Sequence, residues 1–219
     1  MRTFSELKEK QRRLRDGFSE PFGLRVHRSI SWIGRAEEEA ARRDPDAQFI
    51  FLWIAFNAAY AGELNERETP SERDAFRLYF QTLASADAQR VIYNALWWKF
   101  SGSVRLLLDN RYIFGPFWRE AVSGGVSGGW RDAFEVSNRL AREALSTSDV
   151  GALLEIVFDR LYVLRNQIVH GASTWSGSVN RSQIVDGAAV LAFLTPVFVD
   201  LMMDNPTLDW GRPFYPVVS

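Results

Sequence analysis

The 219-residue chain is 47% hydrophobic and 24% charged, which is ordinary for a folded globular protein and argues against disorder of the whole chain. Its formal net charge of -1 argues against a protein that coats nucleic acid by bulk electrostatics, because non-specific phosphate binding needs clustered positive charge. The absence of cysteine excludes disulfides, thiolate zinc sites and cysteine nucleophiles.

The remaining polar residues limit metal binding and location. The two histidines, His27 and His170, are far apart in sequence, which argues against a histidine-rich metal site within one chain. Residues 1–17 are charged and helical in pattern, unlike a signal peptide, and no uninterrupted apolar stretch has the length of a membrane span. We therefore predict a cytoplasmic protein with no metal site, no cofactor and no membrane partner.

Apolar residues recur with a helical period along almost the whole chain. In the first half, the predicted helices span residues 5–15, 24–43, 46–62, 70–84 and 87–99. The helix at residues 46–62 is apolar nearly all round, which is typical of a helix buried in a core. Asp44 can cap its start, and Pro45 fits its first turn.

The second half continues the helical pattern. Short helices are predicted at residues 104–109 and 116–122, and longer ones at 131–145, 149–170 and 181–203. The Ser- and Gly-rich residues 123–130 predict a loop, and the proline-containing residues 204–219 predict an extended tail on the surface. The whole pattern predicts one all-α domain over residues 1–219, a helical bundle with an insertion in the middle.

The helix predicted at residues 149–170 has an arginine on its apolar side. At 100° per residue, Arg165 falls within an apolar stripe formed by Leu154, Val157, Phe158, Leu161, Leu164, Ile168 and Val169. Burying an arginine costs several kcal/mol unless it is paired or meets an anion, so this position needs an explanation. Asn166 and His170 lie on the neighbouring polar stripe, four residues apart.

Two interpretations of these residues remain open at this point. Arg165 can form a salt bridge to a neighbouring helix while His170, just before the helix stop Gly171, merely caps the helix. Alternatively, Arg165 and His170 can serve one anion-binding site, although on a straight helix they diverge by about 140°. That divergence requires the reach of a long side chain, the end of the helix, or a second copy of the chain.

Arg165, Asn166 and His170 match a motif of Arg, Asn, three residues and His, and on this motif the chain resembles the HEPN (higher eukaryotes and prokaryotes nucleotide-binding) superfamily. The resemblance also includes the all-helical pattern and the core helix at residues 51–62. It covers about residues 46–203, with an insertion at about 101–130, and implies an HEPN-like helical bundle.

The resemblance implies a metal-independent endoribonuclease that acts as a homodimer, as a toxin or an antiviral defence effector with an antitoxin or defence-system partner. RNA supplies the 2′-OH nucleophile, so His170 would act as general acid or base and Arg165 would stabilise phosphate charge. Asn166 would orient the histidine or hold a phosphate oxygen. The alternative is a non-catalytic HEPN-like module that binds RNA, a nucleotide or a protein partner.

Two further residues are weaker candidates for substrate binding. Trp175, in the polar loop after the motif, could stack an RNA base or cover the end of the bundle. Asp159 could tune His170 or Arg165, or could belong to the solvated face of its helix. In HEPN members silenced by AMPylation a tyrosine follows the motif two residues after the histidine, whereas this chain has Ala172 there.

Overall fold

A computed structural model describes residues 2–61, 72–124 and 128–211 of the chain. In these ranges it contains ten α-helices and no strand, which confirms the predicted all-α fold. The helices are α1 (Phe4–Leu14), α2 (Glu20–Ala41), α3 (Pro45–Tyr60), α4 (Glu72–Ala86), α5 (Val91–Asn94), α6 (Ser101–Asp109), α7 (Gly115–Val122), α8 (Gly129–Thr147), α9 (Val150–Val169) and α10 (Arg181–Asp204).

Side-chain caps start several of these helices where the sequence predicts a start. Asp44 accepts a hydrogen bond from the Ala47 N–H at 3.0 Å and so begins α3, with Pro45 in its first turn. Asp149 accepts from the Ala152 N–H at 2.9 Å and begins α9 in the same way. These bonds satisfy N–H groups that have no partner within the helix.

The centre of the bundle is the apolar helix α3, which packs between α2 and α10. Phe49 of α3 is fully buried, and it approaches α10 where that helix has a glycine, Gly187. A β-carbon at Gly187 would lie 2.8 Å from Cε2 of Phe49 and 3.0 Å from Cδ2 of Leu161. The two helices therefore approach closely because Gly187 has no side chain.

Four fully buried phenylalanines join α3, α4, α9 and α10 at one point of the core: Phe56, Phe80, Phe158 and Phe198. The ring centroid of Phe158 lies 4.5 Å from that of Phe56, 4.9 Å from that of Phe80 and 5.8 Å from that of Phe198. This cluster fixes the position of α9, the helix that carries the motif.

Helix α10 is the one helix of the described residues that is long and apolar enough to cross a membrane by length and composition. Its most apolar window has a mean hydropathy of 1.9, and 67% of that window is buried inside the molecule. Core helices of soluble proteins share these properties. The apolar surface of α10 therefore contributes to the bundle core.

The structure differs from the prediction at several boundaries. Helix α2 begins at Glu20, four residues before the predicted start, because Pro21 fits its first turn. Residues 95–99 form a π-helical turn between α5 and α6, which a regular helical period does not predict. Within the predicted insertion at 101–130, α6 contributes Val104 and Leu107 to the main core. The predicted start of a helix at residue 70 and residues 125–127 of the predicted loop at 123–130 lie outside the described residues, and α8 begins at Gly129, within that predicted loop.

The C-terminal segment after α10 is not simply an extended tail on the surface. Trp210 is buried, with its ring centroid 5.9 Å from that of Tyr79, and its indole N–H donates to the Asn205 carbonyl at 2.8 Å. A large aromatic ring gains more from burial in this position than the chain loses by turning inward. Residues 212–219 lie outside the described part.

Candidate functional site

The C-terminal end of α9 places the motif next to solvent. The His170 N–H donates to the Asn166 carbonyl at 3.0 Å, and the Ala172 N–H closes the helix end by donating to the Gln167 carbonyl at 2.8 Å. Gly171 follows with φ of +71°, a left-handed conformation that costs least in glycine. The predicted helix stop at Gly171 is thus observed, and the His170 side chain stands at the open end.

Arg165 is half-buried, and its Nη1 donates to the Asn166 Oδ1 at 2.9 Å. No carboxylate among the described residues forms a salt bridge with Arg165, so the predicted ion pair with a neighbouring helix is not observed. A guanidinium has five N–H donors, and one of them is used here. Asn166 therefore orients Arg165, whereas the sequence interpretation assigned it to the histidine or to a phosphate.

The His170 imidazole is exposed, and no described side chain forms a hydrogen bond or ion pair with it. Because α9 stays regular to Val169, Arg165 and His170 keep the divergence of about 140° that the sequence predicts. One chain therefore holds an available arginine and an available imidazole at the same helix end, on different sides of the helix.

Asp159 lies on α9 eleven residues before His170, which is roughly 16 Å along the helix axis. Its Oδ2 is 3.4 Å from Nη1 of the fully buried Arg160. Burial lowers the pKa of Arg160 to about 10, and the charge of Asp159 acts in the opposite direction. The structure thus associates Asp159 with Arg160 and does not bring it to His170.

Gln167, inside the motif, ties the site to two neighbouring segments. Its Nε2 donates to the Tyr112 carbonyl at 2.6 Å, in the 3₁₀ turn Arg111–Ile113 between α6 and α7. Its Oε1 accepts from the Asn180 Nδ2 at 2.7 Å, immediately before α10. Sequence analysis did not identify these contacts, because they join segments that are 55 and 13 residues from Gln167 and follow no local pattern.

Trp175, in the loop between α9 and α10, is attached at one edge and open elsewhere. Its indole N–H donates to the Asp44 Oδ2 at 3.0 Å, yet the residue is 76% exposed. Most of the ring therefore faces solvent, and both predicted roles of Trp175, stacking an RNA base and covering the end of the bundle, stay predictions. Arg181 forms an ion pair with the buried Asp46, so the loop is held to the start of α3 at two points.

The hydrogen bond from Trp175 is one of the contacts that change the pKa of Asp44. Partial burial acts to raise the pKa of Asp44, but the hydrogen bonds from the Ala47 N–H and the Trp175 indole outweigh it. With further contributions from the Asp46 N–H and the charge of Arg181, the pKa is lowered below its usual value. Asp44 therefore stabilises the loop beside the motif as a carboxylate.

No group of three or more His, Asp or Glu side chains in the described ranges is arranged to hold a metal ion. Comparison of the chain with known proteins finds no matching protein-family model, no matching curated protein and no matching solved structure. A functional assignment therefore depends on the side chains at the end of α9 and on their chemistry.

Proposed function

We propose that the protein is a metal-independent endoribonuclease of HEPN type whose site consists of Arg165, Asn166 and His170. The observation that carries the proposal is the state of Arg165, a half-buried guanidinium that is oriented by Asn166 and has no carboxylate partner in the described chain. Such a group is suited to an anion, because the cost of partly burying its charge is then offset. The exposed imidazole of His170 at the same helix end supplies the second group that phosphodiester cleavage needs.

In the proposed reaction, the 2′-oxygen of a ribose attacks the adjacent phosphorus and the bond from phosphorus to the 5′-oxygen breaks. His170 takes the proton of the 2′-OH as a base, and the resulting imidazolium then gives that proton to the leaving 5′-oxygen as an acid. Arg165 donates hydrogen bonds to the phosphate oxygens, whose charge grows in the transition state. The products are a 2′,3′-cyclic phosphate and a 5′-OH, and the protein's own groups perform each of these steps.

The divergence of Arg165 and His170 on one helix leads us to include a homodimer in the proposal. Two copies of α9 that meet at this end would place the arginine of one chain near the histidine of the other. A two-fold interface brings the same surface of both copies together, so it would create two equivalent composite sites. A cytoplasmic toxin or defence effector, restrained by an antitoxin or a partner of the same system, remains the biological setting that the resemblance implies.

The test is cleavage of total RNA by the purified full-length protein in EDTA, with denaturing gels as the readout. We expect His170→Ala to lose at least about a hundredfold in rate, since general acid–base catalysis contributes about that much or more. His27→Ala is the matched control, because His27 is the other histidine, is exposed and lies on α2. It should cleave like the unmodified protein.

Three results would contradict the proposal. Equal cleavage by the unmodified protein and by His170→Ala would exclude this site. Binding of RNA by the unmodified protein without any cleavage would favour the non-catalytic binding module. Products that end in a 3′-OH and a 5′-phosphate would exclude attack by the 2′-OH, even if cleavage depended on His170.

A further inference from the structure

A surface cleft of about 560 Å³ lies between the end of α6, the 3₁₀ turn Arg111–Ile113 and the start of α8. Its lining is mainly aromatic and charged, with Tyr112, Trp130 and Phe134 beside Arg111 and Arg131. None of these residues belongs to the motif.

Each arginine of the cleft stands over an aromatic ring. The guanidinium carbon of Arg111 is 4.9 Å from the ring centroid of Tyr112, and that of Arg131 is 5.0 Å from the ring centroid of Trp130. Planar guanidinium groups and aromatic rings are the surfaces on which unpaired nucleobases stack. The cleft therefore offers two such pairs on opposite segments of its wall.

The rings are held in place before any ligand binds. The Trp130 N–H donates to the Glu120 Oε2 at 3.1 Å, and the Trp130 ring meets the Phe117 ring edge-on with centroids 5.0 Å apart. The Tyr112 carbonyl accepts from the Trp118 indole at 2.7 Å as well as from Gln167. A surface that is already ordered loses less conformational entropy when it binds a ligand.

The charge of the cleft favours a base over a bare phosphate. Asp109 and Glu135 line it together with Arg111 and Arg131, so positive and negative side chains balance. Carboxylates accept hydrogen bonds from the exocyclic amino groups of bases, whereas they repel phosphate. A flat, partly polar ring with amino groups matches this lining better than an isolated anion does.

The cleft adjoins the motif through Gln167, whose Nε2 bonds the Tyr112 carbonyl at 2.6 Å. Gln167 precedes His170 by three residues, so it lies about 60° from His170 around α9 and one turn before it. Tyr112, which lines the cleft, thus contacts α9 on a side that is nearer to His170 than to Arg165. Arg165 points to a different side, about 160° from Gln167.

We propose that this cleft binds an unpaired nucleobase of a single-stranded RNA, a few nucleotides from the phosphate at which His170 would catalyse cleavage. The inference rests on the proposed function, because that function supplies the RNA strand and its path past His170. It adds a selection step: only RNA whose bases are unpaired near the scissile phosphate can occupy both places. Duplex RNA, whose bases are stacked and paired, would not enter the cleft.

The test measures binding separately from cleavage. Full-length His170→Ala protein is titrated against a fluorescein-labelled, unstructured RNA of roughly 12 nucleotides, and anisotropy reports the binding. In this background we expect Arg111→Ala with Arg131→Ala, and separately Trp130→Leu, to weaken binding roughly tenfold. Arg142→Ala is the matched control, since Arg142 is an exposed arginine on α8 about three turns from Arg131, and it should bind normally.

The results of these titrations test the cleft assignment separately from the nuclease proposal. Equal binding by the double arginine variant and by Arg142→Ala would overturn the cleft assignment, even if Trp130→Leu failed to fold. So would equal affinity for duplex RNA, or no binding of RNA by the His170→Ala protein. If cleavage is absent but the cleft variants still lose binding, the nuclease proposal fails and the cleft assignment stands. If cleavage depends on His170 but the cleft variants bind normally, the reverse holds.

Discussion

Arg25 of α2 is fully buried, and part of its guanidinium has no hydrogen-bond partner among the described residues. Its Nη1 donates to the Ala59 carbonyl at 2.6 Å, near the end of α3, whereas Nε and Nη2 are unpaired. Burial lowers the pKa of Arg25 to about 10, and the charges of Tyr79 and Asp209 act in the opposite direction. Because the folded state holds this proton less tightly than the unfolded state, the charged form destabilises the fold below about pH 10.

We predict that Arg25→Met is neutral or stabilising in urea denaturation at pH 7. Removing a buried charge relieves a penalty of several kcal/mol, and methionine fills most of the space. The opposing cost is one unpaired carbonyl at Ala59, about 1–3 kcal/mol. Arg12→Met, at an exposed position of α1, should stay within about 0.5 kcal/mol of the unmodified protein. A decrease of more than about 1 kcal/mol in the free energy of unfolding of Arg25→Met would contradict this prediction.

Asp44 should contribute to the stability of the protein in a way that depends on pH. Its lowered pKa means that its stabilising contribution is complete above about pH 4 and is lost as the pH falls through the folded-state pKa. Asp44→Asn keeps a good helix cap but removes the charge, so it should cost from a few tenths to about 1 kcal/mol at pH 7. The difference in urea midpoint between the two proteins should shrink towards zero near pH 3.

The control for this measurement is Asp16→Asn, because the Asp16 side chain is 97% exposed. Its difference from the unmodified protein should be small at both pH values. A difference for Asp44→Asn that stayed constant from pH 7 to pH 3 would mean that the carboxylate charge does not stabilise the loop of Trp175.

At the scale of elements, the crossing of α10 over α3 and α9 depends on Gly187. Alanine has a higher helix propensity, yet its β-carbon would meet Phe49 and Leu161, both fully buried and unable to move away. We predict that Gly187→Ala lowers the free energy of unfolding by about 1–3 kcal/mol. Gly102→Ala should instead raise it by up to about 1 kcal/mol, because nothing lies within 4 Å of that position in α6.

Both substitutions add one methyl group to a glycine within a helix. If Gly187→Ala lowers the free energy of unfolding in urea and Gly102→Ala raises it, the effect of the helix crossing is separated from the effect of helix propensity. Two changes of equal sign would contradict the close packing of α10. A normal unfolding energy together with a changed near-UV circular dichroism for Gly187→Ala would show that the core repacks around the new methyl group.

The elements that the sequence predicts well are those that local chemistry controls. Asp44 with Pro45, Asp149 and Gly171 mark helix ends because each acts within one turn of its own position. The π-helical turn at 95–99 and the burial of Trp210 depend on packing between distant segments, so no local period indicates them. The all-round apolar α3 was correctly predicted as a core helix, since its composition leaves no other stable position.

At the scale of the whole molecule, some features of the candidate site are predictable from the sequence and others depend on contacts between distant segments. The resemblance to the HEPN motif groups Arg165, Asn166 and His170, and the helical period places them near one helix end. The sequence does not predict the bond between Arg165 and Asn166, the ion pair of Asp159 with Arg160 or the contact of Gln167 with Tyr112. Those depend on rotamers and on contacts between remote segments, which periodicity does not encode.

The proposed homodimer leads to a prediction that concerns two chains together. Arg165→Ala and His170→Ala should each abolish cleavage when tested alone, because each removes one group from both sites. If a site takes its arginine from one chain and its histidine from the other, a mixed dimer of the two variants keeps one complete site out of two. Random exchange of equal amounts makes half of the dimers mixed, so activity should recover to about one quarter of the unmodified level.

If both groups of a site come from the same chain, every site in every dimer lacks one group and the mixture stays inactive. Cleavage measured before and after co-refolding the two variants distinguishes these cases, and a mixture that stays inactive although native mass spectrometry detects mixed dimers would exclude the composite site.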